Sequence, residues 1–230
     1  MPVIVFASSK GGVGKTTSAL TLSFVLTRYG QATTLIDADP NAPIVRWSER
    51  FPDGIPKNLT IKAALGTEVD EVIDDATDPF IIVDLEGSKN REVSVGLGRA
   101  DLALIPMKGS QLDADEAANV IKLIRRQEKI FRRPIPFRVF LSLTSPVIIN
   151  RGAKNIVAQF QRQGIPMLKT EMMDRAAFQM PFAVGGTLYD LGKTDIRNPA
   201  SSIENAEAFA AEVRDCLLMD HSRTGEGADV

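Results

Sequence analysis

The chain has one cysteine, Cys216, and one histidine, His221, among 230 residues. A single thiol excludes an internal disulfide framework and a CxxC metal site, and it suits a reducing compartment. One histidine near the C-terminus leaves no imidazole for core catalysis or a zinc site. Tyrosine is nearly as scarce, with only Tyr29 and Tyr189, and Trp47 is the one tryptophan. No apolar run approaches the roughly 20 residues that a membrane-spanning helix needs. The first apolar run is short and lacks a basic leader, so it does not read as a secretory signal. A large excess of either charge is missing too. The 27 basic and 29 acidic side chains leave a net charge of -2, which excludes a uniformly basic nucleic-acid binder but not a local basic patch. What remains is ordinary for a soluble globular domain, 44% hydrophobic and 24% charged, and long enough to bury one large core. The expectation is a soluble, cytoplasmic protein.

What is present begins at residue 10. Lys10 to Thr17 read Lys-Gly-Gly-Val-Gly-Lys-Thr-Thr, directly after the apolar run Val3 to Phe6. In the phosphate-loop pattern G-x-x-x-x-G-K-[ST] the first glycine would stand at position 9, which is Ser9 here; the glycines crowd instead into Gly11, Gly12 and Gly14. Small residues let the backbone wrap a polyphosphate with its N–H groups pointing inward. Gly11, Gly12, Val13 and Gly14 would form the cradle. Lys15 would reach the β- and γ-phosphates, Thr16 would place its hydroxyl on Mg²⁺, and Thr17 would open the helix beneath. The positive end of that helix lies under the anion. A site for a nucleoside triphosphate and magnesium follows.

Short apolar runs alternate with helical patterns, which predicts an α/β fold with a mostly parallel twisted sheet of about seven strands and helices on both faces. Strands are expected at Val3–Ala7, Thr33–Asp37, Leu59–Ala63, Phe80–Asp84, Leu102–Pro106, Phe137–Leu143 and Met167–Thr170. Helices are expected at Lys15–Tyr29, Ile44–Arg50, Asp113–Phe131, Ala153–Gln163 and Ser202–Leu218. Asp113 followed by Glu116 reads as a capping box opening the third of these. No linker divides the chain, so residues 1–221 are expected as one domain and the polar 222–230 as a flexible tail.

In such sheets ligands bind at the carboxyl ends of the strands. Asp37 and Asp39 close the second strand in Asp-Ala-Asp-Pro-Asn, and Asp84 closes Phe-Ile-Ile-Val-Asp. A hydrophobic strand ending in aspartate, downstream of a phosphate loop, is the arrangement that holds a Mg²⁺ shell. Asp84 is therefore a magnesium candidate. Asp39 is the candidate for positioning the attacking water, with a contact to Mg²⁺ partly through water; a simple Asp-Pro turn is the competing reading. Asp37 is expected to support the loop or to meet Mg²⁺ through water.

Together Lys10–Thr17, Asp37–Asn41 and Asp84 resemble the deviant Walker ATPases of the ParA/MinD family, most closely its small plasmid-type ParA members. Ala100 to Asp113 and Thr170 to Gly185 extend the resemblance over nearly the whole chain. It implies a P-loop NTPase fold and slow, partner-stimulated hydrolysis of ATP to ADP. It also implies a homodimer that sandwiches two ATP molecules, in which Lys10, matching the signature lysine, crosses to the partner's nucleotide. An extra cation there would couple dimerisation to having ATP rather than ADP bound. Lys10, Lys15 and Asp39 would carry the catalysis. Two segments depart from the family pattern, Leu85-Glu86-Gly87-Ser88 after Asp84 and Met107-Lys108-Gly109-Ser110-Gln111 after Pro106. Trp47 suits the small plasmid-type group and suits a plain core tryptophan equally.

The phosphate loop starts too early for a preceding helix-turn-helix, so sequence-specific operator binding is not expected. Lys122, Arg125, Arg126, Lys129 and Arg133 recur at helical spacing and could meet DNA phosphates without a sequence code, or could be a solvated face. Arg151, Lys154, Arg162, Lys169, Arg175, Lys193 and Arg197 form a scattered later set. The expected role is DNA partition or cargo positioning: non-specific DNA binding in the ATP state, association with the nucleoid, and reset by a ParB-like or other adaptor. Alternatives are an accessory ATPase of conjugative or T-DNA transfer, positioning of a protein cluster, or a MinD-like membrane switch. The acidic, polar C-terminal end argues against stable membrane association.

Overall fold

The computed structural model describes residues 1–87, 91–145, 151–191 and 199–225, and the side chains of all these except 91–94, 151 and 221–225. Seven strands form one sheet in the order β3-β2-β4-β1-β5-β6-β7. They are β1 (Val3–Phe6), β2 (Thr33–Ala38), β3 (Leu59–Ala63), β4 (Phe80–Leu85), β5 (Leu102–Lys108), β6 (Phe137–Thr144) and β7 (Met172–Met173). Every pairing is parallel. β1 is buried along its whole length and β4 along all but Phe80, which is why both read as nearly unbroken apolar runs rather than as alternating ones.

The helices are α1 (Lys15–Arg28), α2 (Pro43–Arg50), α3 (Glu68–Asp74), α4 (Arg91–Arg99), α5 (Gln111–Phe131), α6 (Arg151–Arg162), α7 (Ala176–Val184) and α8 (Pro199–Gly225). Two cores result. One packs Val120, Ile124, Ile156 and Phe160, from α5 and α6, against one face of the sheet. The other packs Leu20, Phe24, Trp47, Phe178 and Phe209, from α1, α2, α7 and α8, against the opposite face. Trp47 belongs to this second core. Its ring lies 5.7 Å from Phe24 and 6.4 Å from Phe182, and its Nε1 donates to the Pro181 carbonyl at 2.7 Å.

Several boundaries differ from expectation, each for a physical reason. The last strand pairs at Met172–Met173, while Met167 makes only an isolated bridge to Val139. α5 starts earlier, with Ser110 rather than Asp113 as its cap: the Asp113 N–H donates to Ser110 Oγ at 3.2 Å. Glu116 therefore does not close a capping box, and its side chain reaches the phosphate loop instead. α8 continues through residues 222–225, the start of the expected tail; 226–230 lie outside the described residues. No helix of the described residues is long and apolar enough to cross a membrane.

Candidate nucleotide site

β1 lies mid-sheet, and the chain leaves it toward β2 on one side while β5 takes up the other, so the β1–α1 loop opens at the point where strand order reverses. Gly12 and Gly14 have φ of +71° and +86°, which side chains other than glycine rarely tolerate. Gly14 is the N-cap of α1 and offers no side-chain hydrogen bond to the first turn. The helix thus presents its free N–H groups to the loop cavity. Val13 anchors the loop below, with its side chain buried and its carbonyl accepting from Ser142 Oγ at 2.7 Å. Ser142 lies near the end of β6 beside Leu143, whose φ of +53° is strained for a leucine and whose side chain lies 3.5 Å from where a Gly14 Cβ would stand.

Lys15 is buried, and its ammonium donates to Ser8 Oγ at 3.0 Å. Burial lowers its pKa, opposed by the negative charges of Asp84, Asp39 and Glu86. The strand register sets Asp37 level with Asp84 at the sheet's carboxyl end. The two carboxylates have different fates. Asp37 accepts from the backbone N–H groups of Ile44 at 2.7 Å and Val45 at 3.1 Å, so it fastens the start of α2. Asp84 is 1% exposed, and neither of its oxygens has a hydrogen bond of ordinary geometry. Its desolvation pushes its pKa up to about 7, against the pull of the Thr16 hydroxyl and of Lys15. A buried carboxylate lacking hydrogen bonds beside a hydroxyl and an ammonium fits a hard cation with oxygen ligands. Thr16 and Asp84 would hold Mg²⁺ here.

Asp39 is partly exposed and builds the turn before α2, its Oδ1 accepting from Asn41 N at 2.8 Å and Asn41 Nδ2 at 2.9 Å. It is near enough to bias both Lys15 and Asp84 electrostatically. Lys10 stands apart from the cradle. Its ammonium lies 3.1 Å from Asp113 on α5. Gly87, after β4, abuts the same loop: a Cβ there would sit 2.8 Å from the Lys10 carbonyl oxygen.

Sequence reasoning missed the supporting residues. Ser8, Ser142 and Asp113 come from three separated stretches, and only Ser8 has a local signal, as the small polar residue between strand and glycines. A small cleft beside Gly14, lined by Ser18, Leu143, Met173, Asp174 and Phe178, also went unassigned.

The expected basic face divides. Lys122, Arg126 and Lys129 are exposed on α5. Arg125 pairs with Glu128 at 2.9 Å and lies 5.3 Å from the Phe137 ring centre. Arg133 leaves the face altogether, because Arg132 turns the chain into a left-handed conformation (φ +53°) and Arg133 then donates to the Gly98 and Ala100 carbonyls. α5 runs back along the sheet from its carboxyl end, and the 16 residues from Asp113 to Lys129 span about 24 Å. Lys129 is therefore far from the phosphate loop, and Lys122, nine residues along, stands about 14 Å up the helix from Asp113. In the later set Arg175 is tied to Ser201 Oγ at 2.7 Å; Lys193, Arg197 and the Arg151 side chain lie outside the described residues.

A parallel sheet with a glycine loop after its central strand, two lysines on that loop and a buried acidic pair opposite defines a P-loop nucleotide-binding protein. The CobQ/CobB/MinD/ParA nucleotide binding domain matches residues 4–182, and the chain belongs to that family. It is 36% identical over 216 residues to Protein ParA of Rhizobium radiobacter, covering 93% of this chain and 96% of the relative. Among solved structures it is similar to the MinD cell division protein of Aquifex aeolicus, with TM-score 0.71, 20% identity and coverage of 94% and 98%. It is also similar to the ATP complex of McdA(D38A) from Cyanothece, with TM-score 0.69, 16% identity and coverage of 90% and 96%. These structures share the fold.

Proposed function

We propose that this chain is an ATP-driven dimerising switch for DNA partition, with plasmid DNA as cargo. The observation that carries the reading is Lys10, a second lysine at the mouth of a loop whose own phosphate lysine is Lys15. A half-exposed cation outside the cradle is accounted for by the phosphates of a second nucleotide, held by a second copy. The 36% identity to a ParA along almost the whole chain supports the same reading.

Lys15 and the loop N–H groups bind the phosphates and hold them in register. Thr16 and Asp84 hold Mg²⁺, which when bound neutralises phosphate charge. Asp39 orients water at the open edge of the site, where its turn with Asn41 fixes its backbone. The cleft beside Gly14 receives the base. In the ATP state the dimer binds DNA without sequence preference through Lys122, Arg126 and Lys129, and a ParB-like adaptor stimulates hydrolysis to reset it.

The test is binding of the purified protein to random-sequence duplex DNA with MgATP and with MgADP across a salt series, with sizing in parallel. DNA binding only with MgATP, weakening steeply as salt rises, is the expected result. Lys10→Ala is expected to keep nucleotide but lose the ATP-dependent dimer. Absence of DNA binding in both nucleotide states would replace DNA by a protein cargo.

A further inference from the structure

The phosphate loop is fastened to the first turns of α5 at two adjacent residues. Ser9 Oγ donates to the Glu116 carboxylate and lies 3.1 Å from the Glu116 carbonyl oxygen. Lys10 Nζ donates to Asp113 Oδ1 at 3.1 Å. Asp113 and Glu116 are three residues apart, neighbours on one helix face. The lysine side chain is 50% exposed and Asp113 only 5%. The mobile partner is therefore the ammonium. Asp113 cannot follow it, because its N–H and its carboxylate are both engaged by Ser110 Oγ. Gly87 backs the Lys10 carbonyl so closely that a side chain at position 87 would collide with it.

We infer that Asp113 and Glu116 form a latch that holds Lys10 on its own subunit and sets how much ATP is needed before two copies of this chain close together. The inference rests on the sandwich reading proposed above. In that reading the Lys10 ammonium, a compact point charge on a flexible stem, leaves Asp113 for a phosphate held by another subunit. Closing a symmetric dimer therefore breaks two Lys10–Asp113 pairs. A half-exposed pair of this kind is weak, a factor of roughly two to five in an equilibrium constant. Taken twice, it is a factor of roughly four to twenty-five in dimerisation. That is enough to move a threshold and too little to prevent closure. Asp113 is thus a positioning residue, acting only through the lysine.

The experiment is an ATP titration of the full chain with Mg²⁺, followed by sedimentation, for wild type and for Asp113→Asn, Ser9→Ala and Lys10→Ala. Asparagine keeps an acceptor for the helix start and removes the charge. Asp113→Asn is expected to dimerise at lower ATP or lower protein concentration, tightening the dimer roughly four- to twenty-five-fold in MgATP and not at all in MgADP. Damage to the fold would not tighten an ATP-specific dimer. Ser9→Ala should shift the same way by less, and it carries the test if Asp113→Asn does not fold. An unchanged or weaker dimer in these variants, with Lys10→Ala abolishing dimerisation, would overturn the latch and leave the sandwich standing. If Lys10→Ala dimerises like wild type, the sandwich reading fails first and the latch falls with it.

Discussion

The two ends of the sheet differ in how much charge they leave unanswered. At the carboxyl end, Asp84 is buried without a hydrogen bond of ordinary geometry, and Lys15 is buried with one hydroxyl as its partner. At the amino end, charge is answered. Arg138 meets Asp220 at 3.0 Å, Arg133 meets two carbonyls, and Arg125 meets Glu128. Burying a charge without partners costs several kcal/mol, so it persists where a ligand completes the set. The difference separates binding chemistry at one end from architecture at the other.

The harshest test of that division is Lys15→Ala. Removing a charge-assisted contact to a polyphosphate in a sheltered site should weaken MgATP binding by roughly a hundredfold or more, read by calorimetry. Undiminished affinity would remove the loop from the site.

The pH dependence of Asp84 sharpens the comparison. Its pKa is raised to about 7 in the folded state. Between the usual carboxylate value near 4 and about 7, the native protein holds a proton that the unfolded chain has released. Stability of the nucleotide-free protein should therefore fall as pH rises through that window, by an amount on the order of 4 kcal/mol. Mg²⁺ needs the ionised carboxylate, so Mg²⁺-dependent nucleotide binding should strengthen over the same range. Asp84→Asn should flatten both trends in thermal melts and Mg²⁺ titrations. A slope that survives the substitution would assign it to another group.

At the answered end the expected effects are smaller. Arg133→Ala should cost about 1–3 kcal/mol of stability, since two α4-end carbonyls lose their donor. Arg126→Ala with Lys129→Ala should change stability by less than about 1 kcal/mol. That pair should instead lower the salt slope of DNA binding by roughly 2. If Arg133→Ala lowers the slope equally with stability intact, the division between the two ends breaks down.

The sheet and the phosphate loop were legible because their signals are local: unbroken apolar runs for buried strands, glycines at positive φ for the loop. α3 was not, since only Val69 and Ile73 of its seven residues are buried and about two turns are too short for a period to stand out. α4 was hidden by its own glycines. Gly96 and Gly98 discourage a helix by propensity, yet a Cβ at either would strike Leu85 or Phe131, so close packing required them. α7 carries Pro181 within it. The carboxylates on β2 and β4 were found, but their separate fates depend on which backbone donors fold back to Asp37. The partner of Lys10 lies 103 residues away, and no local pattern connects the two.

Trp47, eight residues after Asp39 in the chain, sits on the helix that Asp37 fastens, and it is the only indole in the protein. Its N–H is bound to the Pro181 carbonyl and its ring is edged by Phe24 and Phe182. Excited at the red edge of protein absorption, where tyrosine absorbs little, the protein emits from this one place. Any change that shifts α2 against α7 alters the colour or lifetime of that emission. The molecule carries its own optical gauge, and no dye is needed to follow the packing behind the Asp39 turn in real time.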